Sequence, residues 1–271
     1  MTSRSDRPYD IIVFGATSFV GEILCRYLVK RHGTVGDLAW AIAGRNEAKL
    51  AAVAETTGAD VARIVADAGD ADAMAELAES TRLVISTVGP YALYGSELVA
   101  ALAAAGTDSV DLTGEPQWMQ RMIDTHSTTA EANGARIVHT CGFDSIPSDL
   151  GVWFTQGQAS ARFDEPCTTI AMRVKAMKGG ASGGTIASMI NVVDETKADP
   201  ELRTTLGNPY ALAPEGMRSG PRQPNLMRPT KDIVSGEWVG PFVMAGINTK
   251  VVHRSHALLD RPWGAGFTYD E

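Results

Sequence analysis

The chain predicts a doubly wound parallel α/β sheet over residues 1–150, followed by a smaller α+β domain over residues 151–271. Three features predict it. Short, almost continuous apolar runs such as "IIVFG", "LAWAIAG" and "RLVISTVG" have the texture of strands covered on both faces. Between them lie amphipathic stretches long enough for crossover helices. The stretch "DIIVFGATSFVGEIL", residues 10–24, runs from a strand through a glycine turn into a helix.

Each element follows from its own pattern. After "IIVFG" comes a helix whose Val20, Ile23, Leu24, Tyr27 and Leu28 share one face. "LAWAIAG" is the second strand, and "NEAKLAAVAETTG" the next helix, with Asn46 capping its start and Gly58 its end. "VARIVAD" and "DADAMAELAES" repeat the alternation, as do "RLVISTVG" and "GSELVAALAAAG". "SVDLTG" precedes a long helix beginning near Pro116 and stopping by Gly134, and "ARIVHTCG" closes the series. Right-handed crossovers then put helices on both faces of one sheet.

Beyond Leu150 the texture changes. "CTTIAMRVKAM" reads as a longer strand and "GGTIASMINVVDETKADPEL" as a helix. Residues 203–231 are rich in Pro, Gly, Arg and Asn, with little periodicity, which is the composition of a lid, a binding loop or a disordered insert. The expectation is a mobile flap that carries Tyr210, Leu212, Met217, Leu226 and Met227 over a substrate crevice, outside the core. "PFVMAGINTKVVHRSHALL" resumes regular structure.

Composition bounds the function. The net charge of −8 and the lack of any Lys/Arg cluster argue against nucleic acid as a partner. Cys25, Cys141 and Cys167 share no metal-ligand spacing and suit a reducing compartment. The polar start "MTSRSDRPYD" lacks the apolar centre of a signal peptide, and "LVAALAAAG" is too short to cross a bilayer. A cytoplasmic protein is expected, with peripheral membrane contact and homo-oligomerisation left open. His253 and His256 in "HRSH" can share a helix face, but no third ligand is evident, so no metal is expected there and a surface or interface role is.

In "GATSFVG", Gly15 permits the tight turn and Gly21 lets helix pack on strand. Ser18 stands where a glycine is usual, and its hydroxyl is expected to donate to a phosphate oxygen at the helix start. Gly15, Thr17, Ser18, Phe19 and Gly21 thus form the expected cradle of a Rossmann-type dinucleotide site. The acid that would hold an adenosine ribose, about 20 residues past the last glycine, is absent. The second strand ends "AIAGRN", and Arg45 suits a 2′-phosphate through bidentate hydrogen bonds, which points to NADP. Asp67, after "RIVA", can accept from the adenine amino group. In "STVGPY", Val88, Gly89 and Pro90 either pass close to the nicotinamide ribose or simply make a turn.

No tyrosine has a lysine four residues later, so the short-chain dehydrogenase mechanism is excluded. "GATSFVG", "AGRNEAKL", "STVGPYALYG", "DLTGE" and "CGFDSIPSD", in this order, resemble the saccharopine dehydrogenase-like oxidoreductases, and among them the trans-acting enoyl reductases of actinobacterial lipid synthesis. "GGASGGTIASM", "NPYAL" and "GPFVMAGINTKVVHRSHAL" extend the likeness over nearly the whole chain; Ser18 departs from the family's usual glycine. The resemblance implies NADPH-dependent reduction of a carbon–carbon double bond in an acyl chain presented by a polyketide synthase. Because family members continue past the point matching Glu271, it also implies a second domain only partly present. Tyr91, Asp144 and Ser145 are then the proton-donor candidates, although Asp144, with Ser145 and Pro147, also reads as the cap of a helix starting near Ile146. Two alternatives stay open. One is an aldehyde, semialdehyde or saccharopine-like dehydrogenase with Cys141 as nucleophile. On a strand, however, Cys141 and His139 would face opposite ways, and a buried inert thiol is expected. The other is a non-catalytic NADP-binding scaffold.

Overall fold

The computed structural model of the chain describes residues 4–178, 180 and 183–271. Gly179, Ala181 and Ser182, within "GGASGGTIASM", lie outside the described residues. Two compact units form: Met1–Thr113, Arg121–Cys141 and Ala181–Asn191 make the first, and Gly114–Gln120, Gly142–Gly180 and Val192–Glu271 the second.

The first unit is built on a six-stranded, all-parallel sheet. In chain order its elements are β1 (Tyr9–Phe14), α1 (Phe19–His32), β2 (Trp40–Gly44), α2 (Glu47–Thr57), β3 (Ala62–Val65), α3 (Ala71–Glu79), β4 (Thr81–Ser86), α4 (Tyr91–Tyr94), α5 (Ser96–Ala105), β5 (Asp108–Asp111), α6 (Pro116–Asn133), which belongs to it from Arg121 on, and β6 (Ile137–Val138). The strand order is β3-β2-β1-β4-β5-β6, so the winding reverses between β1 and β4.

Strand periodicity explains why helices cover both faces. Ile12 and Phe14 point one way and pack with Met74 and Leu77 of α3 and Leu98 and Leu102 of α5. Val13 points the other way, packing with Cys25 and Leu28 of α1 and Leu50 and Val53 of α2. The caps are those the sequence expects: Asn46 Oδ1 accepts from the Lys49 amide at 3.0 Å, and Gly58 closes α2 in the left-handed conformation at φ 73°.

The second unit contains α7 (Ile146–Phe163), β7 (Thr169–Ala171), α9 (Leu202–Gly207), β8 (Thr230–Lys231), β9 (Trp238–Val239), α10 (Ala245–Leu258) and β10 (Thr268–Asp270); α8 (Gly183–Ala198) precedes α9 in the chain. β7 pairs with β10 in parallel and β8 with β9 antiparallel, an α+β arrangement. Val152 of α7 packs with Val252 of α10 and with Trp263, Phe267 and Tyr269. Residue 150, the expected domain boundary, therefore lies inside a helix of the second unit.

Three expectations here are corrected. The long strand over "CTTIAMRVKAM" shrinks to Thr169–Ala171, because β10 offers only Thr268–Asp270 to pair with. Residues 203–231 are not wholly a flap: Ala211, Leu212 and Ala213 are buried, and the Tyr210 ring lies 4.7 Å from that of His253. Met227, by contrast, is exposed. Finally, His253 and His256 are buried, packed against Tyr210, Trp263 and Phe267, and not at a surface. Among the described residues, no cluster of ligating side chains could hold a metal, and no helix is long and apolar enough to cross a membrane.

Candidate functional site: the carboxyl edge of the parallel sheet

In a doubly wound sheet, ligands bind outside the carboxyl ends of the strands where the winding reverses. Here that edge carries the glycine turn. Gly15 has φ +88°, and a Cβ there would sit 2.7 Å from Thr87 Oγ1 and 2.8 Å from Val88 Cγ2. A Cβ on Gly21 would come within 2.3 Å of the Gly15 carbonyl oxygen. Both positions therefore demand glycine, the second because the first turn of α1 rests directly on the loop backbone.

Ser18 is the N-cap of α1. Its Oγ accepts from the Gly21 amide at 2.9 Å and lies 2.9 Å from Thr87 Oγ1. Thr87 in turn donates its one proton to the Gly15 carbonyl at 2.9 Å, so Ser18 must be the donor to Thr87. The expected Ser18–phosphate hydrogen bond is thus replaced: this hydroxyl braces the turn against the strand-four loop. With the Gly21 amide capped and the Glu22 amide on Ser18 O, the Phe19 and Val20 amides of the first turn remain to receive an anion.

The other expected cofactor residues line the same edge. Arg45 follows β2 directly and is exposed, with no hydrogen-bond or ion-pair partner among the described residues. Asp67 follows β3, exposed, its Oδ1 accepting from the Gly69 amide at 2.9 Å. Val88, Gly89 and Pro90 form the loop after β4, with Gly89 exposed.

The proton-donor candidates fare differently. Tyr91 is buried; its hydroxyl donates to the Ser86 carbonyl at 3.0 Å and receives the Leu112 amide at 3.4 Å. The hydroxyl, donor to one and acceptor from the other, ties β4 to the loop after β5. Asp144 and Ser145 belong to the second unit. Ser145 occupies the N-cap of α7 but makes no side-chain capping bond, and it is buried. Asp144 is exposed, and the Ile146 amide bonds to the Gly142 carbonyl instead. The expected Asp144–Ser145 cap is thus replaced by a backbone turn.

Asp111, which sequence reasoning passed over, completes the edge together with His139, which it weighed only as a neighbour of Cys141. Phe14, Ser86 and Asp111 are in register across β1, β4 and β5. Asp111 Oδ1 accepts from the Thr113 and Thr140 amides, both at 3.1 Å, and Oδ2 lies 2.5 Å from His139 Nδ1. A carboxylate with two amide donors is an acceptor, so Nδ1 carries the proton and the imidazole tautomer is fixed. The strand argument about Cys141 fails at this point. β6 ends at Val138, and Thr140 takes the left-handed conformation at φ 59°. Cys141 is half-buried after that turn, its Sγ 3.5 Å from the Val138 carbonyl. The only signal for the pair was its placement: an acid at the carboxyl end of β5 and a histidine just past β6.

A glycine-walled turn at the reversal point of a doubly wound sheet defines the dinucleotide-binding class of α/β proteins. No profile of a known protein family matches the chain. It is 42% identical over 279 residues to a Mycobacterium tuberculosis protein named as a trans-acting enoyl reductase, covering 99% of this chain and 66% of that one. It is 36% identical over 280 residues to the trans-acting enoyl reductase of Mycobacterium ulcerans, again with 99% and 66% covered. Saccharopine dehydrogenase from Saccharomyces cerevisiae is similar in structure at a TM-score of 0.43 and 19% identity, over 56% of this chain and 32% of that one. The chain belongs to the trans-acting enoyl reductase family and spans about two thirds of the length of these relatives.

Proposed function

We propose that this chain carries the NADPH site of a cytoplasmic enoyl reductase that acts in trans on acyl chains held as thioesters by a separate polyketide synthase. In this reading residues 1–150 supply the cofactor site and residues 151–271 the substrate side. The observation that carries it is the pair of glycines that no other residue can replace, Gly15 and Gly21, beneath a helix start with open amides. The residues fit a dinucleotide. Bound NADPH would supply hydride for the β-carbon of the enoyl group, and a proton must then reach the α-carbon.

The Phe19 and Val20 amides and the α1 dipole hold the pyrophosphate. Arg45 takes the 2′-phosphate, Asp67 the adenine amino group, and Val88, Gly89 and Pro90 the nicotinamide ribose. Thr17 completes the turn. Tyr91 is a poor proton donor because its hydroxyl already serves two backbone groups. Within the first unit His139, oriented by Asp111, has the fixed tautomer that general acid–base work needs. Asp144 and Ser145 are the donors the second unit offers. Nothing favours Cys141 as a nucleophile: its thiol is directed at a backbone carbonyl.

The test is NADPH oxidation against enoyl, aldehyde and imine substrates, with binding titrations beside it. The enoyl thioester should be the one consumed. Arg45→Ala should weaken NADPH by roughly tenfold or more, the scale of a charged hydrogen bond of about 1.5–3 kcal/mol, and leave NADH unchanged. Equal affinity of the parent for the two nucleotides overturns the assignment of Arg45.

A further inference from the structure

The second unit holds a cavity of about 940 Å³ whose wall includes Arg218, Arg222, Thr249, Lys250, Asp270 and Glu271. Its volume suits a small-molecule ligand. Both acids already have partners. Asp270 Oδ2 accepts from Arg173 at 3.0 Å. Glu271 accepts from Asn248 and Tyr269, both at 2.5 Å, and from Ser148 at 2.8 Å.

Lys250 is in the opposite condition. It is 4% exposed, and its Nζ donates to two backbone carbonyls, Leu206 at 2.7 Å and Gly246 at 2.8 Å. No carboxylate pairs with it among the described residues. An ammonium has three donors, so one N–H is left over. The two carboxylates of the wall, Asp270 and Glu271, are engaged by the partners just named and not by Lys250. His253 on the same helix is neutral, Arg254 reaches the Leu212 carbonyl, Tyr210 is a phenol, Arg218 Nε donates to the Ala213 carbonyl at 3.0 Å, and Arg218 and Arg222 are cationic. Burial without a counter-ion draws Lys250 down to about 8. Holding the last turn of α9 explains the Leu206 bond, but a neutral donor would do that without the cost of burying a charge.

We infer that this cavity binds an elongated anionic ligand, with a phosphate or carboxylate group received by Lys250 and with Arg218 and Arg222 in the same wall. Such a ligand would be additional to a dinucleotide at the sheet edge of the first unit.

Calorimetric titration of the whole chain at pH 8, with NADP⁺ saturating and in two buffers of different ionisation enthalpy, tests this. Inorganic phosphate, coenzyme A and a long-chain fatty acid are the probes. Coenzyme A without the fatty acid assigns the anion as phosphate, and the reverse assigns it as carboxylate. Binding should take up as much as about half a proton, because an anion restores the charge of a lysine that titrates near pH 8. Lys250→Met should lose at least tenfold in affinity together with the proton uptake. Lys250→Arg should keep binding and lose only the uptake. Failure of all three probes to bind the folded parent overturns the inference, as does unchanged affinity and uptake in Lys250→Met. If Lys250→Met does not fold, the ¹⁵Nζ signal of Lys250 in the parent decides, since an anion that leaves it unmoved is bound elsewhere.

Discussion

α1 and α10 are both 14 residues long, yet they are held in opposite ways. α1 buries Gly21, Cys25 and Leu28, an apolar stripe, and leaves its charges in water. α10 buries Asn248, Lys250, Val252, His253, His256 and Ala257. The first helix is stabilised by area removed from water; the second depends on what its polar groups find once inside. Asn248 Nδ2 finds the Asp144 carbonyl, Ser148 and Glu271. His256 Nε2 finds the Gly264 carbonyl, and its ring stacks 4.8 Å from Trp263. His253 finds rings: neither of its nitrogens has a hydrogen-bond partner among the described residues. Apolar packing tolerates a change of pH, whereas buried bases do not.

The largest expected effect follows from that difference. Burial draws His253 down to about 4, below its ordinary value of 6.5. The neutral form is the folded one, so its contribution is complete above pH 6.5 and is lost as pH falls from 6.5 towards 4. The loss should reach about 3 kcal/mol. Cys25, in the α1 interface, behaves oppositely: burial pushes it up to about 11, so its contribution fades only as pH rises from 9 towards 11. Tryptophan fluorescence against pH should therefore show Trp263 losing its environment on the acid side before Trp40 does. His253→Leu should flatten the acid limb, and an unaltered limb would show that other groups set it.

A smaller but still severe effect is expected at the α1 turn. Gly21→Ala forces a Cβ against the Gly15 carbonyl and the Ala16 backbone, which cannot move as a side-chain tip can. We expect a cost of about 1–3 kcal/mol, read as a lower midpoint in urea, with loss of nucleotide binding. Near-parental binding would break the account of the turn.

The smallest effect sharpens the same region. Ser18→Gly removes the Thr87 brace and the Gly21 cap. Replacing an N-cap serine with glycine costs about a few tenths of a kcal/mol, so stability should barely fall. Because the Ser18 proton is already used within the turn, NADPH affinity should not drop. A loss of tenfold or more would mean that the hydroxyl turns to the phosphate when nucleotide binds.

Much of the first unit was legible because its information is local. The apolar runs became β1, β2 and β4, Asn46 became the cap of α2 and Gly58 closed it. Each of these depends on neighbours within a turn or on the two-residue period of a strand. Arg45 and Asp67 could be placed for the same reason, since they stand one and two residues past the ends of strands. The Asp111–His139 pair could not be, because it joins residues 28 apart whose meeting depends on β5 and β6 lying side by side.

In the second unit the sequence by itself marked the start of α7 and the α+β character, but α9 lies largely in residues read as a loop, and there its authority ended. Whether Leu212, amid Pro, Gly and Arg, is core or flap, and whether His253 faces water or Phe267, depends on the few long-range partners that cover them. Composition reports the average fate of a residue type. A lysine or histidine departs from that average only when particular carbonyls and rings converge on it, and only the tertiary structure determines that convergence.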